Sequence, residues 1–351
     1  MSDRIPLADR SLSGLKKHEW LKQLAEIAEV SGQFEVLGTN HVATRIDTFT
    51  TPDDDSNNDA ETTLLVSFET MQGIQLHSDI GQPLGWDMVR RRDWSHLCLI
   101  SDGDTWFRDP QIYALFDRLT DEGYFEEFGR VLFYGAGPCG YAAAAYSVAA
   151  PGAVVLAVQP QATLDPRVTE WDHRFSHMRR ISFTDRYGYA PDMLDAAAKA
   201  FVLYDPAEDL DAMHAALFTR PNVTKLRLRH MGDALQGDLI EMDILDDLLI
   251  TIAEDRLTQP HFARLARARR EHPSYLRNLL GHLDAAHRPY LAMLMCRNVV
   301  ERMHAPRIRR RLDGLEKSAA DGEFTPPPQR NGNGNGNGNG SSTRHQPISR
   351  L

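Results

Sequence analysis

One stretch constrains the chain more than any other: Gly129 to Ala149, GRVLFYGAGPCGYAAAAYSVA. Four bulky apolar residues, Val131 to Tyr134, stand between turn formers, the pattern of a strand covered on both faces. The run breaks at Gly135-Ala136-Gly137-Pro138-Cys139-Gly140. The alanine-rich segment Tyr141 to Ala149 then has the composition of a helix packed closely on a sheet. Strand, tight glycine turn and helix make up the unit on which α/β proteins place phosphates or nucleophiles. The predicted fold class is therefore α/β.

The turn supports two readings. Taken literally it is G-x-G-x-x-G, with Gly135, Gly137 and Gly140 between strand and helix, which is the dinucleotide fingerprint. Gly135 would make the turn, Gly137 would let the backbone approach a pyrophosphate, and Gly140 would allow close helix–strand packing. GAGPCG is similar to the flavoprotein version. The following strand, Ala153 to Val158, ends in Gln159-Pro160-Gln161 where the fingerprint places a ribose-binding acid, so Gln159 becomes the candidate for that contact.

The second reading rests on resemblance. Tyr134-Gly135-Ala136-Gly137-Pro138-Cys139-Gly140-Tyr141-Ala142-Ala143 resembles the nucleophile elbow of α/β-hydrolases, one branch of which has Tyr-Gly-x-Ser-x-Gly-Gly-Tyr-Ala-Ala there. In that branch a strand ending in Gln-x-x-x-Asp-Pro follows, matched here by VVLAVQPQATLDP. Leu64 to Phe68 resembles the strand leading to the oxyanion loop, and Ser101 to Pro110 the loop after the next strand. Phe201 to Pro206 places Asp205 at the position of the family's acid, and Val223 to Leu228 places His230 at that of its histidine. The resemblance spans roughly residues 35–255. It implies an α/β-hydrolase-like core with a mostly parallel central sheet and helices on both faces.

The departure from that pattern bears on function. Gly137 occupies the position of the nucleophilic serine, and Pro138, which has no N–H, the position of an oxyanion donor. Losing one such donor typically costs on the order of 10²–10³ in rate, and here the nucleophile is absent as well. Shifted by two residues, Cys139 becomes a candidate thiol nucleophile, with Asp205 and His230 completing a triad.

At 351 residues, a quarter of them charged, the chain has ample material for one large domain with appendages. A net charge of −10 argues against broad binding to nucleic acid or anionic membranes. Cys98, Cys139 and Cys296 form neither a disulfide framework nor a zinc pattern, which suits a reducing cytoplasm. MSDRIPLADR is charged and lacks the apolar core of a signal peptide. No stretch approaches about 18 apolar residues. The expectation is a cytoplasmic protein with no membrane contact.

Four segments are expected. An amphipathic helix capped by Ser11 or Ser13 fills 1–33, and the α/β-hydrolase-like core fills 34–258. A C-terminal helical module, divided by Pro273 and Pro289, fills 259–317, and a disordered Asn/Gly-rich tail fills 318–351. Within the core, TPDDDSNNDAETT (51–63) reads as an exposed acidic loop, and the stretch from Glu69 to Gly85 as the oxyanion loop. Asp102 and Asp104 flank Gly103 at the sheet edge where α/β proteins bind ligands, although Asp-Gly also caps turns. Asp109-Pro110 opens a helix. Residues 167–189, rich in His and aromatics, are expected to roof the site. His173 and His177 stand i, i+4 there, a spacing that suits a metal on a helix, with no third ligand evident. Arg264, Arg267, Arg269 and Arg270, with Arg307 and Arg309 to Arg311, make the C-terminal end basic.

Three functions follow. The first is a degenerate α/β-hydrolase-like protein that binds a small molecule or protein partner without hydrolysis. Similar bacterial sequences place such a protein near surface-polysaccharide assembly. The second is a nucleotide-binding oxidoreductase using Gly135, Gly137, Gly140 and Gln159, with FAD or NAD as cofactor, or resembling phosphoadenosine phosphosulfate reductases. That family's Ser-Gly-Gly-x-Asp-Ser and Glu-Cys-Gly-x-His motifs are absent from this chain. The third is a hydrolase with Cys139 as nucleophile. The residues name no resident cofactor and no metal.

Overall fold

The computed structural model describes residues 7–48 and 62–324. The acidic run up to residue 61 and the tail from residue 325 lie outside the described residues. Two compact units divide the chain, Met1–Leu279 and a second beginning at Leu280.

The first unit is built on one sheet with β1 Gln33–Leu37, β2 His41–Ile46, β3 Thr63–Thr70, β4 Ser95–Ser101, β5 Arg130–Ala136, β6 Val154–Val158, β7 Lys199–Tyr204 and β8 Val223–Arg227. Their order is β1-β2-β4-β3-β5-β6-β7-β8. The β1–β2 and β2–β4 pairs are antiparallel, and every pair from β4 through β8 is parallel. Parallel neighbours need crossover helices, and those helices cover both faces. This is why the interior strands read as unbroken apolar runs: all seven residues of β4 are buried, as are seven of the eight in β3. The architecture is the expected α/β-hydrolase-like one.

The helices of this unit are α1 Lys17–Ser31, α2 Met71–His77, α3 Gly85–Arg92, α4 Pro110–Asp121, α5 Pro138–Tyr146, α6 Pro166–Thr169, α7 Ala190–Met193, α8 Asp209–Leu217, α9 Leu235–Glu241, α10 Leu245–Ala253 and α11 Gln259–Leu265; α12, Pro273–Ala285, crosses the boundary. One apolar layer joins α4 and α5 to the sheet through Ile112, Phe116, Ala142, Phe68 and Phe133. The opposite layer joins α3, α9 and α10 through Met88, Leu239, Leu248, Leu132 and Leu156. Asp109 caps α4 as expected, its carboxylate accepting the Gln111 N–H at 2.8 Å.

Several boundaries move. The first helix begins at Lys17, and neither Ser11 nor Ser13 caps it. Its Trp20, Leu24, Ile27 and Ala28 pack with Val42, Ile100 and Trp86, so residues 1–33 belong to the sheet's own unit rather than standing apart. The division expected at 258/259 falls instead at 279/280, because α11 packs into the core through Phe262 and Ala266. The helix expected over Leu239 to Ile252 is two, α9 and α10, broken at Asp243, whose φ of 57° leaves the helical region.

In the second unit α13 Pro289–Arg302 and α14 Pro306–Ala320 pack through Ala292, Met293, Cys296, Leu312 and Leu315. An Arg297–Glu316 ion pair at 2.8 Å closes them. Helix α14 runs past Ser318, where the tail was expected to begin, and ends at Ala320. Among the described residues no helix is long and apolar enough to cross a membrane.

Candidate functional site

Strand, tight glycine turn and helix form where the sequence places them, with β5 ending at Ala136 and α5 beginning at Pro138. Between them Gly137 has φ 57° and ψ −124°, the kind of strained strand-to-helix turn on which hydrolases raise their nucleophile. A Cβ built on Gly137 would meet nothing within 4 Å, so the space for a side chain is there and the side chain is not. The two flanking glycines serve packing. A Cβ at Gly135 would lie 2.1 Å from the Cys139 carbonyl oxygen, and one at Gly140 would lie 2.9 Å from that of Val158. Ala142 to Ala145 are fully buried, and their small side chains let α5 sit low on β3, β5 and β6.

Cys139 lies in the first turn of α5 rather than at the elbow, and it is 5% exposed. Burial pushes its thiol far up, and the carboxyl groups of Glu69 and Asp104 push it further. Reactive cysteines sit in electropositive, partly exposed surroundings. These surroundings are the reverse, so the shifted-elbow reading of Cys139 as nucleophile is not met: the strained residue is Gly137, and the thiol is held neutral. Pro138 leaves the helix start without its first N–H, as expected.

Sequence reasoning missed Glu69. It ends β3 beside the elbow, where a loop was expected; the strand instead runs to Thr70 and passes straight into α2. Its carboxyl group accepts the Ser67 hydroxyl at 2.8 Å and the Leu84 N–H at 3.2 Å. Burial raises its pKa against those bonds. The Ser67 hydroxyl also meets His96 Nε2 at 2.9 Å, and the Cys98 thiol donates to Glu69 at 3.3 Å. Glu69, His96 and Cys98 thus bring three metal-type donors within 4.8 Å of one another. They meet as hydrogen-bonding partners: burial holds the His96 imidazole neutral, with its pKa near 3, and the thiol protonated. An alternating Ser-x-Glu at the end of an apolar strand was the available signal. A second donor group joins His272 to Glu241 at 3.1 Å and Asp238 at 3.7 Å.

Asp205 follows β7 and is fully buried. One carboxylate oxygen accepts the Ala207 N–H and the other the Gly232 N–H, each at 2.8 Å. His230 lies half-buried in the turn after β8 with φ 68°, two residues before Gly232. Asp205 and the turn that carries His230 therefore meet at the sheet's C-terminal edge. Gln159, also left-handed at φ 47°, is spoken for throughout. Its backbone N–H donates to Leu203, its side-chain carbonyl accepts the Leu235 N–H at 3.0 Å, and its NH₂ donates to Asp211 at 2.8 Å. No group of Gln159 is left to bind a ribose. The Gly137 N–H likewise donates to Val158 at 2.8 Å, which removes a donor the phosphate reading needs.

The segment after β6 packs over this edge as expected. Phe175 meets Trp106 edge-on at 4.8 Å, Phe183 meets Tyr141 at 5.5 Å, and Arg108 donates to the Ser182 and Arg186 carbonyls. His173 and His177 do not share a helix, because a 3₁₀ turn begins only at Ser176, so the i, i+4 metal spacing is not realised. A buried network that the sequence did not announce pins the segment instead. Asp172 accepts from His214 Nε2 at 2.9 Å, and Arg174 bridges Asp172 and Asp211 at 2.9 and 2.7 Å. Burial raises the Asp172 carboxyl, but the His214 and Arg174 bonds outweigh it and hold the group well below its usual range. Asp102 is likewise structural, bonded to Lys17 and to Gln72. Asp104 has its pKa raised by burial.

No protein-family model matches the chain, and no curated protein matches it. Solved structures do. A glycosylation-associated protein complex (Gap123) from Streptococcus agalactiae matches at 10% identity over 61% of this chain, with a TM-score of 0.39. This chain spans only 44% of that one. A thermostable esterase from Pseudomonas putida matches at 14% identity over 74% of this chain and 90% of its own, with a TM-score of 0.36. The carboxylesterase EstE1, from a metagenomic library, matches at 13% over 72% and 98%, with a TM-score of 0.37. The assignment of an α/β-hydrolase-like fold rests on the strand order and crossovers described above.

Proposed function

We propose that this protein is a non-hydrolytic relative of the α/β-hydrolases, which binds a small molecule or a protein partner at the C-terminal edge of β5, β6 and β7 without cleaving it. One observation carries this reading: Gly137 holds a nucleophile's backbone turn with open space and no side chain. Three further features support it. Pro138 offers no oxyanion N–H. Burial, with the charges of Glu69 and Asp104 adding to it, disfavours a thiolate at Cys139. Asp205 has both oxygens engaged by backbone donors. The setting in surface-polysaccharide assembly comes from sequence resemblance alone.

The test is turnover of p-nitrophenyl acetate and butyrate by the purified chain, beside His230→Ala and Asp205→Asn. A site that only binds gives rates equal to buffer for all three proteins. Saturable turnover that collapses in His230→Ala would show a working triad and end the proposal.

A further inference from the structure

A groove of about 660 Å³ lies between β8 and the 3₁₀ turn Ala266–Arg270 that follows α11, with none of Gly137, Asp205 and His230 in its lining. Five cationic side chains line it, Lys225, Arg227, Arg267, Arg269 and Arg270, around an apolar floor at Phe262. No carboxylate is among its lining residues. Among the described residues, none of Lys225, Arg227, Arg267 and Arg269 has an ion-pair partner, and Arg269 stacks over the Tyr275 ring at 5.1 Å. Burial and, after it, the neighbouring Arg227 guanidinium pull the Lys225 ammonium below its usual value. The chain as a whole carries −10, so this concentration runs against its composition.

The arrangement is ordered. Lys225 and Arg227 alternate with buried Leu226 along β8, so they project to one side about 6.6 Å apart. Arg267 and Arg270 are three residues apart in a 3₁₀ turn, where such side chains eclipse. Among the described residues β8 is the last strand in the order, with no strand on its outer side. Lysine on an edge strand guards against aggregation, which accounts for Lys225 but not for three arginines converging from the other wall.

We infer that this groove is a docking site for an extended acidic peptide segment of a partner protein, with carboxylates on alternate residues facing Lys225 and Arg227. Alternate residues of an extended chain repeat at the same spacing as the strand's own cations. A short segment also suits the surrounding charge. A long polyanion such as nucleic acid would leave the groove and cross a surface of net negative charge. The inference holds whether or not the protein hydrolyses.

The experiment is fluorescence anisotropy of the full chain with a fluorescein-labelled peptide of alternating Glu and Val. A block peptide of the same composition and a labelled single-stranded oligonucleotide serve as comparison probes. Saturable binding of the alternating peptide is expected, weaker for the block peptide and falling as salt rises. Lys225→Glu/Arg227→Glu and, separately, Arg267→Glu should each weaken it about tenfold or more, some 1.4 kcal/mol. Melting temperature and circular dichroism should stay at the wild-type values, since these side chains make no ion pair in the fold. No saturable binding at low salt overturns the inference, as does unchanged affinity in both charge-reversal variants. Tighter binding of the oligonucleotide than of the peptide also overturns it.

Discussion

The three glycines of the elbow look alike in sequence and should behave differently on substitution. At Gly137 an added Cβ meets nothing within 4 Å, so the only cost is a positive-φ backbone forced on a residue with a side chain. Such strain costs of order 1–3 kcal/mol. The unfolded chain loses entropy on Gly→Ala or Gly→Ser, which offsets roughly 0.4–1 kcal/mol. The net for Gly137→Ala is then about 0–2.5 kcal/mol, a drop in melting temperature of at most about 10 °C. At Gly135 the same methyl would sit 2.1 Å from the Cys139 carbonyl oxygen and 2.4 Å from its carbon. The obstacle there is main chain at the start of α5, which cannot rotate aside as a side chain would. Overpacking costs about 1–3 kcal/mol even where side chains yield, so Gly135→Ala should cost about 3 kcal/mol or more. Urea denaturation followed by tryptophan fluorescence reads both. If Gly137→Ala proves the more damaging, the open space above the elbow is not there and the reasoning fails. Gly137→Ser should fold like Gly137→Ala and give esterase turnover at least about 10²–10³-fold below that of a working hydrolase, because Pro138 supplies no oxyanion N–H. His230-dependent turnover at the rate of a working hydrolase would show that only the serine had been lost.

Other expectations follow from the buried polar groups. The folded His96 imidazole, near pKa 3, lies below the unfolded value of about 6.5. Its contribution to stability is therefore intact above about pH 6.5 and is lost as pH falls towards 3, by at most about 1.4 kcal/mol per unit. His96→Asn should flatten that limb in urea titrations between pH 6.5 and 4.5, and an unchanged slope would refute the assignment. Arg174→Met strands the carboxylates of Asp172 and Asp211, which the fold buries. It should cost about 3–5 kcal/mol and speed hydrogen exchange across residues 166–189; wild-type protection there would mean that the network does not hold the segment. Cys139, buried and with a raised thiol pKa, should resist iodoacetamide in the native protein and react on unfolding. Rapid native labelling would restore it as a candidate nucleophile.

Local sequence was enough to place the strand, turn and helix of residues 130–146. Apolar Val131 to Tyr134, the glycines and the alanines each have one comfortable arrangement, and together they give strand, tight turn and close-packed helix. It was equally legible that position 137 carries no side chain and position 138 no backbone N–H. Asp109-Pro110 and the prolines at 273 and 289 marked helix starts through their missing N–H and fixed φ. What escaped was long-range. Gln159, the pair Asp172 and Arg174, and the pair Asp211 and His214 come from three separate segments and meet only once β6, β7 and their crossovers are stacked.

By itself, then, the sequence determined the fold class and the strand, glycine turn and helix around Gly137, because both depend on residues within a few positions of one another. Tertiary structure alone decided which polar groups are occupied. It turned Gln159 from a ribose candidate into a fully bonded strut, and it buried Cys139 in the apolar core. It also set Lys225 and Arg227 across a groove from arginines some forty residues further on. Charge and hydrogen bonding act through space, and the chain order of these groups does not record the distances between them.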